Sequence, residues 1–89
     1  MVEQEITVSN KLGLHARASA KLVQLTSRFS ANVLLQCRGR EINAKSIMGL
    51  MLLAAGKGTA LWIKVEGDDE AEALAAVVDL FQRKFDEGE

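Results

Sequence analysis

The chain has 89 residues, 48% of them hydrophobic, enough for one small domain over residues 1–89 with a single core. Its 11 basic and 12 acidic residues leave a net charge of −1, without the basic surplus of a nucleic-acid binder. One cysteine and one histidine exclude an internal disulfide and a structural zinc site, and such cysteine usage fits a reducing, cytoplasmic setting. Residues 1–5 are polar and acidic and lack the basic-then-apolar order of a signal peptide. Val2, Ile6 and Val8 share one parity and Glu3, Glu5 and Thr7 the other, which predicts a strand over 2–8. A loop follows over 9–14. A helix is expected over 16–27, with Ala18, Leu22, Leu25 and Phe29 as its apolar stripe and Arg17, Ala20, Gln24 and Ser27 on its other side.

A second strand is expected over 32–37, with Val33, Leu35 and Cys37 inward. Arg38-Gly39 reads as a tight hairpin turn into a short strand over 40–43. Ser46 is placed to cap a short helix over 47–53. The most apolar run, 47–56, is far shorter than the roughly 20 residues a bilayer span needs, so no membrane insertion is expected. A turn at 56–59 leads to a fourth strand over 60–66, with Leu61, Ile63 and Val65 inward. Gly67-Asp68-Asp69 is expected to close that strand and cap a last helix over 69–84. Leu74, Val77, Val78, Phe81 and Phe85 form that helix's stripe, Glu70 and Glu72 lie in its first turn, and Arg83 and Lys84 in its last. The acidic tail, 86–89, reads as frayed. Trp62 and Leu34 both have outward parity and read as a cross-strand pair.

The order βαββαβα predicts an α+β fold. We expect an open-faced two-layer sandwich, a four-stranded antiparallel sheet with three helices on one face and water on the other.

His15 stands where loop becomes helix. A helix start offers unpaired N–H groups and the positive end of the macrodipole, a ready cradle for an anion. The same positive end favours a neutral ring with a free lone pair. Arg17, two residues on, adds a fixed charge with fork geometry. The small neighbours Ala16, Ala18, Ser19 and Ala20 leave the ring open to a partner. A metal role fails for want of other ligands, and a general-base role for want of a nucleophile and acid nearby. A lone histidine in a small domain is more often a cap or a loop residue. Here its position, its arginine and its small neighbours point to phosphorylation of the ring, with no cofactor.

Gly13-Leu14-His15-Ala16-Arg17 resembles the active-site motif of the histidine-containing phosphocarrier (HPr) family of the bacterial phosphoenolpyruvate-dependent phosphotransferase system. Asn43-Ala44-Lys45-Ser46-Ile47-Met48-Gly49 resembles the regulatory-serine segment of that family, at the family's spacing. The acidic entry Glu66-Gly67-Asp68-Asp69-Glu70 is similar as well, so the resemblance covers essentially the whole chain. It implies a phosphoryl group carried on Nδ1 of His15, received from enzyme I and passed to IIA components of sugar permeases. Arg17 and the backbone N–H groups of Ala16 and Arg17 would hold the group in transfer. Ser46 would be phosphorylated by a dedicated serine kinase. Such carriers are covalent intermediates rather than enzymes. The family commonly has proline after the arginine; Ala18 stands there here, with a modest expected effect on stability and none on role.

The 47–53 helix is apolar almost all round, more than one buried stripe requires. Ile47, Met48 and Met51, with Ala16, Arg17, Ala20 and Gln24, are expected to form a small docking patch for several partners. Lys21, Lys45 and Lys57 would surround it with positive charge. Two alternatives stay open: a carrier of the nitrogen-related branch, and a binding module that keeps the fold without carrying phosphate. The serine segment leans towards the carbon-related branch, and no sign of association favours anything but a monomer.

Overall fold

The computed structural model describes residues 1–87. Strand β1 spans Val2–Thr7, helix α1 Ala16–Thr26, β2 Asn32–Cys37, β3 Arg40–Asn43, α2 Ile47–Leu53, β4 Ala60–Glu66 and α3 Glu70–Gln82. The strands form one antiparallel sheet in the order β1-β4-β2-β3. Alternation sets its two faces. Val33, Leu35, Leu61, Ile63 and Val65 are buried under the helices, while Glu3, Glu5 and Thr7 are exposed on the other side. The Arg38-Gly39 turn places both residues at positive φ, 51° and 79°, the twist that suits a two-residue hairpin.

Trp62 and Leu34 do lie on the open face, but not opposite each other. Trp62 is flanked by Glu5 and Gln36, and Leu34 by Lys64 and Asn43, which leaves the two apolar residues diagonal.

The helices differ from their expected stripes in ways that matter for the site. On α1 the buried face is Ala18, Ser19, Leu22 and Thr26, with Leu25 only half-buried. The two hydroxyls tolerate burial because each has an acceptor: Ser19 Oγ donates to Leu14 O (3.2 Å), and Thr26 Oγ1 to Ala44 O (2.9 Å). α3 ends at Gln82, two residues earlier than its periodicity suggests, so Arg83 and Lys84 fall beyond its last turn. Lys84, Phe85 and Asp86 all take positive φ, 55° to 60°, in a left-handed turn. The turn drives Phe85 fully into the core, edge-on to Phe81 at 4.9 Å between ring centres. The apolar spacing that extends to Phe85 thus reports burial in the core, reached through a turn rather than through helix.

Asp69 stands at the start of α3 but makes no side-chain cap bond there. Its carboxylate instead accepts from the backbone N–H groups of Ser30 (2.9 Å) and Ala31 (2.8 Å) and from Ser30 Oγ (3.3 Å), tying α3 to the connection between α1 and β2. Among the described residues no helix is long and apolar enough to cross a membrane.

Candidate functional site

The loop before α1 is held from both sides. Asn10 is fully buried, and its Nδ2 donates to Gly13 O (2.8 Å). Gly13 turns the chain with φ of 65°, and a Cβ there would run into the carbonyl of Ala55. Leu14 is buried next, its N–H donating to that same Ala55 O (2.9 Å). These anchors deliver His15 to the N-cap of α1 in extended conformation, φ −79° and ψ −178°.

The ring itself closes the helix start. Its Nδ1 accepts from the Arg17 backbone N–H at 3.3 Å. Its Nε2 lies 2.6 Å from Glu87 Oε2. These partners assign the tautomer: Nε2 carries the proton and donates to the carboxylate, while Nδ1 keeps its lone pair at the helix mouth. The ring is 29% exposed, in an open depression lined by Lys11, Leu12, His15, Ala16, Arg17 and Glu87.

Glu87 was not anticipated, because the acidic tail reads as frayed. Asp86 and Glu87 are instead anchored, while Gly88 and Glu89 lie outside the described residues. Asp86 is held by Arg83 Nη1 at 2.9 Å, and the Glu87 side chain is only 11% exposed. Burial alone would raise its carboxyl. Hydrogen bonds from Asn10 Nδ2 (3.1 Å) and His15, together with the nearby positive charge of Arg17, outweigh this and hold it below the ordinary carboxylate value. The one legible hint was Phe85, whose apolar spacing anchors the chain two residues before Glu87.

Arg17 and Ala16 are both exposed on the first turn, beside the ring. Two of the three lysines assigned to the surroundings are occupied by backbone. Lys21 Nζ donates to Phe85 O (2.7 Å) and Lys45 Nζ to Phe29 O (2.8 Å), because each amine finds a carbonyl past a helix end. Lys57 is exposed. Among the described residues no cluster of His, Cys, Asp or Glu is arranged to hold a metal ion.

Ser46 caps α2, its Oγ accepting from Gly49 N–H at 3.1 Å. α2 packs against α1 and buries only Leu50 and Leu53. Ile47, Met48, Met51 and Leu52 are left exposed, Met48 to 76%. Gln24 is exposed and Ala20 half-buried on α1. Leu12, exposed beside His15, adds an apolar residue that sequence periodicity did not single out.

Comparison with known proteins agrees with this geometry. A family profile described as "PTS HPr component phosphorylation site" matches residues 2–83. A phosphocarrier protein HPr of Xylella fastidiosa is 56% identical over 87 residues, 98% of each chain. The crystal structure of an HPr from Thermoanaerobacter tengcongensis superposes with a TM-score of 0.95 at 46% identity, covering 98% of both chains. The Bacillus subtilis catabolite repression protein Crh, 44% identical with a TM-score of 0.76 over 94% of this chain and 97% of its own, is described as a swapped dimer. A buried-core sandwich with one imidazole at a helix mouth, matched along its length by such relatives, belongs to the HPr family, the phosphoryl carriers of the phosphotransferase system.

Proposed function

We propose that His15 carries the phosphoryl group on Nδ1, receives it from enzyme I and passes it to IIA components of sugar permeases. The observation that supports this most directly is the lone pair of Nδ1 at the mouth of α1, beside the Arg17 N–H. In loading, that lone pair forms the N–P bond as the donor's bond to phosphorus breaks and its electron pair leaves with the donor. The N–H groups of Ala16 and Arg17 and the Arg17 guanidinium then face the phosphoryl oxygens. Unloading reverses the step, and the electron pair returns to Nδ1. Ala16, Arg17, Ala20, Gln24, Ile47, Met48 and Met51 form the surface that both partners use, a flexible methionine-bearing patch suited to brief contacts.

His15→Ala, incubated with enzyme I and phosphoenolpyruvate, takes up no acid-labile phosphate while keeping its fold. A variant that still loads refutes the assignment.

Ser46 is a regulatory phosphorylation site for a serine kinase. Its hydroxyl oxygen already accepts at the start of α2, so a phosphate there would keep a capping acceptor while adding charge beside the docking patch. The protein acts in the cytoplasm as a monomeric single domain, in the carbon-related branch. A swapped dimer in sedimentation would overturn the monomer.

A further inference from the structure

The open face of the sheet takes no part in the site around His15. Along it stand Glu3 and Glu5 of β1, Trp62, Lys64 and Glu66 of β4, Leu34 of β2 and Glu41 of β3. The open face of such a sheet is ordinarily a polar surface left to water. Here Trp62, flanked by Glu5 and Gln36, is 41% exposed, and Met1 at the margin is 69% exposed. Beside them lies a hollow of about 210 Å³ lined by Met1, Asn32, Leu34, Glu41, Lys64 and Glu66. The charges are one-sided. Lys64 stands between Glu3 and Leu34 in register, yet its Nζ reaches across β2 to Glu41 Oε2 (3.3 Å). The Met1 ammonium is held by Glu70 Oε2 (3.1 Å). Among the described residues no cation pairs with Glu3, Glu5 or Glu66. Glu3 and Glu5 share one face two residues apart, like charges that a cation from another molecule would relieve.

We propose that this face is a docking surface for an extended, arginine-rich segment of another protein: a guanidinium lies on the Trp62 indole beside Glu3 and Glu5, and an apolar side chain enters the hollow next to Leu34. Indole is the aromatic face that attracts cations best, and a guanidinium can stack on it while its N–H groups donate to a carboxylate. Trp62 and the hollow lie on successive rows of the sheet. An extended segment presents one face at every second residue, so an arginine and an apolar residue two apart meet both. Charge sets aside other occupants. An anionic lipid surface and a nucleic-acid backbone are repelled, and a second copy would bring its own carboxylates face to face with these. The helices cover the other side of the sheet, so a segment docked here leaves His15 and Met48 accessible to a different protein.

Trp62 is the sole tryptophan and the chain has no tyrosine, so intrinsic emission above 295 nm excitation reports this face directly. The probe is a capped hexapeptide of alternating arginine and leucine. The controls are the same peptide with glutamate in place of arginine, and spermine. Wild type shows a saturable change in emission with the arginine peptide, several-fold weaker at raised salt, and none with the glutamate peptide. Amide resonances of residues 3, 5, 34, 62 and 64 shift on binding, while those of Arg17 and Met48 stay in place. The double variant Glu3→Gln, Glu5→Gln alters two exposed side chains, keeps its circular dichroism spectrum and binds the peptide several-fold more weakly. Absence of a saturable change, wild-type affinity in the double variant, or shifts centred on α1 and α2 overturns the proposal. Spermine binding as tightly as the peptide would show a general affinity for polycations, and concentration-dependent dimers in sedimentation would make the occupant a second copy. Each of these two results overturns the peptide segment as partner.

Discussion

Gly13 sets the course of the loop that delivers His15 to the helix start. Its φ of 65° and the close approach of the Ala55 carbonyl both exclude a side chain. Gly13→Ala is expected to destabilise the protein by about 1–3 kcal/mol, since it combines an unfavourable backbone with a collision. It should also slow phosphoryl loading, because the loop and the N-cap move together. A urea midpoint equal to wild type would contradict this. His15 and Arg17 were legible from their order along the chain, since a cap and a first-turn residue are local features. Glu87 was not, because its partners Asn10 and His15 lie 77 and 72 positions away.

At the scale of elements, α2 shows a serine whose structural task is separate from any regulatory one. The chain enters α2 through a turn in which Asn43 Oδ1 accepts from Lys45 N–H (2.8 Å), and Ser46 Oγ then accepts from Gly49 N–H. Ser46→Ala removes that cap and should cost about 1 kcal/mol, whereas Ser46→Asp, another good cap, should recover most of it. Equal losses for the two variants in urea denaturation would show that capping is not what Ser46 contributes. The limits of α2 follow from its cap and were readable. The end of α3 was not. Phe81 and Phe85 keep helical spacing, yet the core takes Phe85 through a left-handed turn, and spacing alone does not tell the two apart.

Across the whole molecule, Asp69 is the clearest long-range tie, joining the start of α3 to the connection between α1 and β2. The Ser30 N–H lowers its carboxyl most, burial opposes, and the Ala31 N–H lowers it further, so it titrates below its ordinary 3.8. A carboxyl depressed on folding contributes stability that is present above its unfolded value and is lost as pH falls through its folded one. Asp69→Asn should therefore lower Tm at neutral pH, and the gap to wild type should narrow below about pH 4. A gap that stays constant with pH would mean that the charge is not what matters.

Sequence alone settled the strands, the βαββαβα order, the covered and open sheet faces and the helix start at His15. Each of these is written in patterns a few residues long: alternation, helical spacing, caps and turns. Tertiary structure decided the partners. It turned Asp69 from a helix cap into a clamp, gave Lys21 and Lys45 to distant carbonyls, set Trp62 diagonal to Leu34 and brought Glu87 to the imidazole. Side-chain reach and buried hydrogen-bond demand are satisfied only once the chain has folded back on itself, so no local pattern announces them.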